Sequence, residues 1–183
     1  GRVNSAPRRA LKPGLWVIGL LCVATLGFFA WQSFYPVSAA SGWSVQVLHR
    51  DVPKAASLMP LVDGSLMVSQ ELDDAKGSIV RILKDGTRDV MVNKLSKPDG
   101  LFATRGGWVF SQESANLPVS FLKDGVVSEL FRGENVQGLW DDGDYLYAIE
   151  DRKPVGRLLR YRWSDQTLTV LRDQIQEGES VVR

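Results

Sequence analysis

Acidic side chains recur at regular intervals along this chain of 183 residues. Glu71, Glu113 and Asp151 follow one another after 42 and 38 residues, each at the end of a similar eight-residue segment. If those segments are equivalent strands, the three acids form an acidic rim on one face of the domain. Such a rim could bind a cation or a basic partner surface. The alternative is a solvated edge that discourages strand-to-strand aggregation.

Other residue types limit the chemistry. His49 is the single histidine, which excludes a His-rich metal site and leaves little room for a Ser/His/Asp triad. Cys22 is the single cysteine and lies in an apolar stretch, so the rest of the chain has no disulfide. Removing the four N-terminal cations from the 22 Lys and Arg leaves 18 cations against 21 acids, a charge of about −3. This balance argues against nucleic acid as a partner.

The elements that would position the acids form a repeat. Residues 64–71, 106–113 and 144–151 resemble one another, and each is followed by two alternating strands around a tight turn at Asp85-Gly86, Asp124-Gly125 or Asp165-Gln166. A period near 40 with four short strands is typical of a β-propeller blade. We therefore predict an all-β fold, with propeller-like repeats of four-stranded antiparallel sheets, preceded by one transmembrane α-helix.

The prediction has three further parts. Residues 43–50 alternate apolar and polar residues and are predicted as a first strand, and residues 176–182 as the opening of a fourth unit. About three and a half blades cannot close a ring, so the domain is expected to be incomplete at its C-terminus. The alternative is an open, complete β-meander whose edge is covered by a partner.

Residues 15–35 form the membrane segment. They carry no charge, and a 21-residue helix is roughly 31 Å long, which matches the hydrocarbon core of a bilayer. Four cations precede the segment, and no charged residue follows it before Arg50, so the N-terminus is expected in the cytoplasm. Trp43 is a candidate for the headgroup layer beyond it. A cleaved signal peptide is the alternative, because residues 37–39 are small enough for a cleavage site.

These features give the predicted organisation. Residues 1–13 are a cytoplasmic basic tail, 14–36 the transmembrane helix, 37–42 a linker, and 43–183 a periplasmic or extracellular domain, so the protein is placed in the inner (cytoplasmic) membrane. Ala24, Gly27 and Ala30 form a ridge of small residues that would let another helix approach closely. Together with Trp31 they are the predicted partner-binding residues. The expected partners are the lipid bilayer and integral membrane subunits, for example of a respiratory or photosynthetic complex.

The segments 95–114 and 79–90 carry a resemblance to a known group. Their Pro-x-Gly-apolar pattern, Gly turn and strand-Asp-Gly-strand hairpin resemble the six-bladed propellers of the gluconolactonase, strictosidine synthase-like and NHL-repeat group. Aligning the repeats places Asp99, Gln137 and Glu177 at one position, on the innermost strands that would line the central channel of a propeller. Lactonase-like members hold a divalent cation there, which implies Asp99 and Glu177 as metal ligands, with Glu179 as a further candidate. Alternatively these side chains line a hydrated channel or bond to the inner backbone.

Two functions follow as hypotheses. The favoured one is a membrane-anchored binding or scaffold protein, an accessory subunit with no organic cofactor and no catalytic residues. The alternative is a membrane-tethered, metal-dependent lactonase or strictosidine synthase-like hydrolase. The strand aromatics are expected in the core or between blades rather than in a ligand cage; these are Trp108, Phe121, Phe131, Tyr145, Tyr147, Tyr161 and Trp163.

The charge asymmetry around the apolar segment yields a topology test. Protease added to intact spheroplasts is expected to digest the β-domain, because that domain should face outward. Digestion of the β-domain only after lysis would indicate the opposite topology, with that domain in the cytoplasm.

Overall fold

The structure, a computed structural model, describes residues 13–34 and 37–182. By their contacts these residues form two units, which divide between Leu48 and His49. The described residues contain one helix and twelve strands, with these bounds: α1 Pro13–Phe34, β1 Ala55–Pro60, β2 Leu66–Gln70, β3 Gly77–Ile82, β4 Arg88–Leu95, β5 Pro98–Thr104, β6 Gly107–Gln112, β7 Leu117–Lys123, β8 Val126–Gly133, β9 Val136–Asp141, β10 Tyr145–Glu150, β11 Gly156–Arg162 and β12 Leu168–Ile175.

Helix α1 begins at a proline, whose fixed φ and missing N–H suit the first helical position. Gly14–Gln32 has a mean hydropathy of 2.0, is long enough to cross a membrane, and has none of its length buried. Its one hydroxyl, on Thr25, donates to the carbonyl of Leu21 at 2.8 Å, so this hydroxyl is not left unbonded in an apolar solvent. Residues 35 and 36 of the predicted span lie outside the described residues.

The predicted strand at residues 43–50 is wrong. The segment has no regular structure, its side chains are largely exposed, and Trp43 is 81% exposed. The first strand is β1, which starts at Ala55. Alternation of apolar and polar residues describes a possible strand, but a strand also needs a neighbouring edge to bond to.

Three four-stranded antiparallel sheets follow the helix, and each is formed from strands consecutive in the chain. We refer to β1–β4, β5–β8 and β9–β12 as blades 1, 2 and 3. The three similar segments of the sequence contain the second strand of each blade, and the three predicted turns join each third strand to the fourth. Left-handed φ values at Gly86, Gly125 and Gln166 explain the turn residues. The predicted fold class is confirmed.

The first strand of each blade contacts the first strand of the next, β1 with β5 and β5 with β9. Two apolar clusters lie between the sheets. One joins blades 1 and 2 through Met67, Ile79 and Phe110, and the other joins blades 2 and 3 through residues such as Val119 and Leu159. Packing between blades, rather than within one, therefore forms the core.

Buried serine hydroxyls connect adjacent blades. Ser111 Oγ accepts from Gly100 N at 2.8 Å within blade 2 and donates to Gln137 O of blade 3 at 2.7 Å. Ser69 Oγ makes the equivalent bonds, accepting from Ser57 N at 2.9 Å and donating to Asp99 O at 2.8 Å. Both serines are 0% exposed. Each hydroxyl thus satisfies two backbone groups that the close contact removes from water.

Residues 176–182 contain no strand, so the predicted fourth unit is not present as a sheet in the described residues. The segment nevertheless lies beside β9, because Gly138 N donates to Glu179 O at 3.0 Å. A Cβ on Gly138 would come within 2.8 Å of that oxygen, as one on Gly100 would come within 2.1 Å of Gln137 O. The segment therefore takes the place next to β9 that β9 takes next to β5.

The serine seam can be tested by Ser111→Ala. This change leaves Gly100 N and Gln137 O without their shared partner, and it should lower the free energy of unfolding by about 1–3 kcal/mol. Ser128→Ala is the control, because Ser128 is exposed on β8 and should change stability by less than about 0.5 kcal/mol. Denaturant titration of both variants in detergent measures the difference. Equal stabilities would contradict the role of the seam.

Candidate functional site

The first strand of each blade, β1, β5 or β9, is its inner strand. The residue at which an inner strand starts sets the register of the side chains along it. The residue before each inner strand has a left-handed φ near +50°, and one residue of the 176–182 segment shares it; the four are Lys54, Lys97, Asn135 and Glu177. Glu177 is thus equivalent to Lys97, while Glu179 is equivalent to Asp99 and Gln137. The predicted alignment of Glu177 with Asp99 is wrong by two residues, because the left-handed residue that defines the register differs in type in every repeat.

Lys97 is the centre of an ion-pair cluster at this edge of the sheets. Its Nζ lies 2.8 Å from Glu113 Oε1 of its own blade and 3.5 Å from Glu71 Oε1 of blade 1. The hydrogen bond from Lys97 to Glu113 is the main reason that the pKa of Lys97 is raised. Two members of the predicted acidic rim are therefore paired with the same lysine. The third member, Asp151, directly precedes Arg152 in the sequence. Arg152 forms a separate ion pair, in which its Nε lies 3.8 Å from Glu134 Oε2.

Asp99 lies next to this cluster and is half-buried. Burial raises its pKa to about 6, and the negative charges of Glu113, Glu71 and Glu179 act in the same direction against a smaller opposing effect of Lys97. Asp99 and Glu179 therefore affect each other electrostatically, as neighbouring inner positions should. A carboxyl group with this pKa changes its charge between mildly acidic and neutral pH.

Gln112 and Glu150 hold the loops at the same edge of the sheets as Lys97. The sequence did not single out either side chain as functional. Gln112 Oε1 accepts from Ser96 N at 2.9 Å, and Glu150 Oε1 accepts from Glu134 N at 2.8 Å. Glu150 is 0% exposed and is paired with Arg157, whose Nε lies 2.5 Å from Oε2. These side chains bond to the loops that lead into β5 and β9, so their role is positional.

The metal prediction remains a prediction. Among the described residues, no group of three or more His, Cys, Asp or Glu side chains is arranged to hold a metal ion. Glu177 is exposed and lies at a different register position from Asp99.

The predicted partner ridge lies on an exposed helix. Ala24, Gly27 and Ala30 fall within about 120° of the helix circumference, at 3.6 residues per turn. A Cβ on Gly27 would meet nothing within 4 Å. Trp31 is 56% exposed and its ring lies 6.2 Å from that of Phe28. The ridge is open to lipid or to another helix.

The aromatics between blades 2 and 3 pack as expected. Trp163 contacts Phe121 and Tyr161, with ring centroids 5.7 and 5.5 Å apart, and Phe131 stacks on Tyr161 at 5.5 Å. One consequence was not foreseen. Trp163 and Tyr145 also line a cleft with Arg105, at the sheet edge opposite to Lys97. Nothing in the spacing of these residues indicates the cleft, because loops of two blades form it.

Three consecutive four-stranded sheets whose first strands contact one another define a β-propeller-like domain. No family model matches the chain, and no curated protein matches it. Several solved structures are similar to it, among them the three that follow. An auxiliary nutrient binding protein from Bacteroides thetaiotaomicron VPI-5482 aligns with TM-score 0.54 at 20% identity over 66% of this chain and 31% of that one.

The second is from a nidogen/laminin complex, with TM-score 0.53 at 15% identity over 65% of this chain and 49% of that one. An auxiliary nutrient binding protein from Bacteroides ovatus ATCC 8483 has TM-score 0.50 at 16% identity over 68% and 32%. The chain thus spans 31% to 49% of the length of these proteins. At this level of identity the likeness shows the fold alone.

The raised pKa of Asp99 yields a pH test. Between pH 4 and about 6 the folded state holds a proton on Asp99 that the unfolded state has lost, since the ordinary value is 3.8. Asp99 therefore costs stability as the pH rises through this window, and the cost is fully present above it. Asp99→Asn should melt at a higher temperature than wild type at pH 7.5, and the difference should vanish near pH 4.

Asp173→Asn, on exposed β12, controls for the loss of one negative charge. Melting curves from pH 4 to 8 provide the comparison. A wild-type protein that is the more stable of the pair at pH 7.5 would contradict the assigned environment of Asp99.

Proposed function

We propose that this chain is a single-pass membrane protein whose propeller-like domain lies outside the cytoplasm and binds, as an accessory subunit of a membrane complex. The observation that carries the proposal is the exposed surface of α1. Eleven large apolar side chains between Leu15 and Trp31 are each more than half exposed. In water this would cost on the order of 20 kcal/mol. A bilayer removes the cost.

The domain supports a binding role more than a catalytic one. The acids nearest to its inner edge are paired with Lys97 or half-buried, as Asp99 is. Two of the similar structures carry the name auxiliary nutrient binding protein, which agrees with binding as the general activity. We further propose that the domain belongs with the six-bladed propellers that its repeat resembles.

The hydrolase alternative requires Asp99 and Glu177 to converge on one metal ion. Their different positions in the repeat, one on an inner strand and one at the left-handed residue before it, do not favour this convergence. We therefore base the proposal on the anchor and on contact, with the cytoplasmic membrane as the location.

The ridge on α1 provides the test. Gly27→Leu fills the groove along Ala24, Gly27 and Ala30, and overpacking a helix contact costs about 1–3 kcal/mol. Recovery of partner subunits with the tagged full chain in mild detergent should fall at least about fivefold. Quantitative mass spectrometry of the eluted proteins measures the change.

Cys22→Leu is the matched control, because Cys22 lies about 140° around the helix from Gly27 and receives the same leucine side chain. It should retain its partners. Equal retention by both variants, or no membrane protein enriched with the wild type, would contradict the proposed docking role.

A further inference from the structure

A cleft of about 510 Å³ opens between the β5–β6 loop of blade 2 and two loops of blade 3. We call it the Arg105 cleft. Its volume lies within the range of sites for small molecules. It is lined by two cations, two aromatic rings, one acid and one hydroxyl, which belong to Arg105, Arg162, Tyr145, Trp163, Asp144 and Ser164.

One wall of the cleft is held rigidly. The Trp163 indole donates from Nε1 to Asp141 Oδ2 at 2.6 Å, while Asp141 Oδ1 accepts from Thr104 Oγ1 at 2.9 Å and Gly143 N at 2.9 Å. Asp141 is only 9% exposed. A carboxylate with this number of fixed donors locks the two loops to each other. The Trp163 ring is therefore oriented before any ligand arrives.

Arg105 is fixed against this wall. Its guanidinium carbon lies 4.6 Å from the centroid of Trp163, and Nη2 donates to Gly143 O at 2.6 Å. A guanidinium group has five N–H donors, so this bond leaves others to offer a ligand. Arg105 is therefore held in place and still has N–H groups that can donate to a ligand.

Arg162 forms the other side of the cleft. Its guanidinium carbon lies 5.3 Å from the centroid of Tyr145, and Nη1 lies 3.2 Å from Asp165 Oδ2. Arg160 also stacks on Tyr145, at 4.5 Å. The Tyr145 ring thus orients Arg162 as Trp163 orients Arg105, and two prepositioned cations border one cavity.

We propose that the Arg105 cleft binds a sugar that carries one carboxylate, such as a hexuronate. The planar fork of an arginine matches a carboxylate with two parallel hydrogen bonds. The rings of Trp163 and Tyr145 offer apolar area to the C–H groups of a sugar ring. Asp144 and Ser164 can accept from and donate to its hydroxyls.

The charge of the lining selects this class. The arginines at positions 105, 160 and 162 and the two aspartates Asp144 and Asp165 together leave a single positive charge, which one carboxylate balances. A phosphate ester carries nearly two negative charges at neutral pH and would meet Asp144 unfavourably. A neutral sugar would leave Arg105 without a carboxylate partner among the described residues, whereas Arg162 is already paired with Asp165. This inference goes beyond the membrane role and does not depend on it.

The test is calorimetric titration of the full chain with glucuronate and galacturonate, against glucose, galactose and inorganic phosphate. A polyoxyethylene detergent is used, because a sugar detergent would compete. At least one hexuronate should bind saturably, and its neutral counterpart and phosphate should bind at least about tenfold more weakly.

Arg162→Gln and Arg105→Gln should each weaken the binding of that hexuronate about tenfold or more. Arg132→Gln is the matched control, since Arg132 is half-exposed on β8 and paired with Glu129 at 2.7 Å, away from the cleft. Arg105 also holds a loop, so if Arg105→Gln lowers the melting temperature, Arg162→Gln decides. The proposal is overturned by hexuronates that do not saturate, by equal binding of neutral sugars or phosphate, or by wild-type affinity in Arg162→Gln. These outcomes are read separately from partner recovery, so either proposal can fail alone.

Discussion

Close contact between the first strands of successive blades is the constraint on which the rest of the domain depends. Backbone meets backbone there, so a Cβ on Gly100 would come within 2.1 Å of Gln137 O. The groups brought together must also be bonded, because they lose water. Ser69 and Ser111 supply this bond at two successive contacts. At the third contact Ile149 takes the serine position, and its side chain packs on Gly178.

The same contact determines the properties of both edges of the sheets. At one edge it places Lys97 between acids of two blades and buries Asp99 beside them, which is why the pKa of Asp99 rises to about 6. At the other edge it brings the β5–β6 loop against blade 3, where Asp141 bonds to Thr104 and to Trp163. The Arg105 cleft therefore needs the blades to be packed, and no single blade could form it.

Much of the domain could be predicted from the sequence because turn chemistry is local. Asp85-Gly86 and Asp124-Gly125 require only that their own residues tolerate a tight turn, and both turns are where the repeat places them. The register of the inner strands is not local in this sense. It depends on a left-handed residue that is Lys97 in one repeat, Asn135 in the next and Glu177 after that, so the residue type does not reveal it.

The failed strand at residues 43–50 and the unforeseen cleft share a cause. A strand requires the edge of a neighbouring strand, and a cleft requires loops from different blades. Neither requirement can be determined from the local sequence. The arginines at positions 105 and 162 become neighbours only after blades 2 and 3 pack. The apolar helix α1, by contrast, could be predicted from hydropathy alone, since its length and composition need no tertiary contact to identify them.

The central claim is that α1 stays attached to the domain as its anchor, and peptide mapping of the cellular protein tests it most directly. Membranes are washed with alkaline carbonate, and the protein in the pellet and in the soluble fraction is digested and identified by mass spectrometry. The account predicts domain peptides in the pellet, together with peptides that cover residues 14–32. Domain found in the soluble fraction, with a new N-terminus near residues 37–40 and no helix peptides, would contradict it and show a cleaved signal sequence.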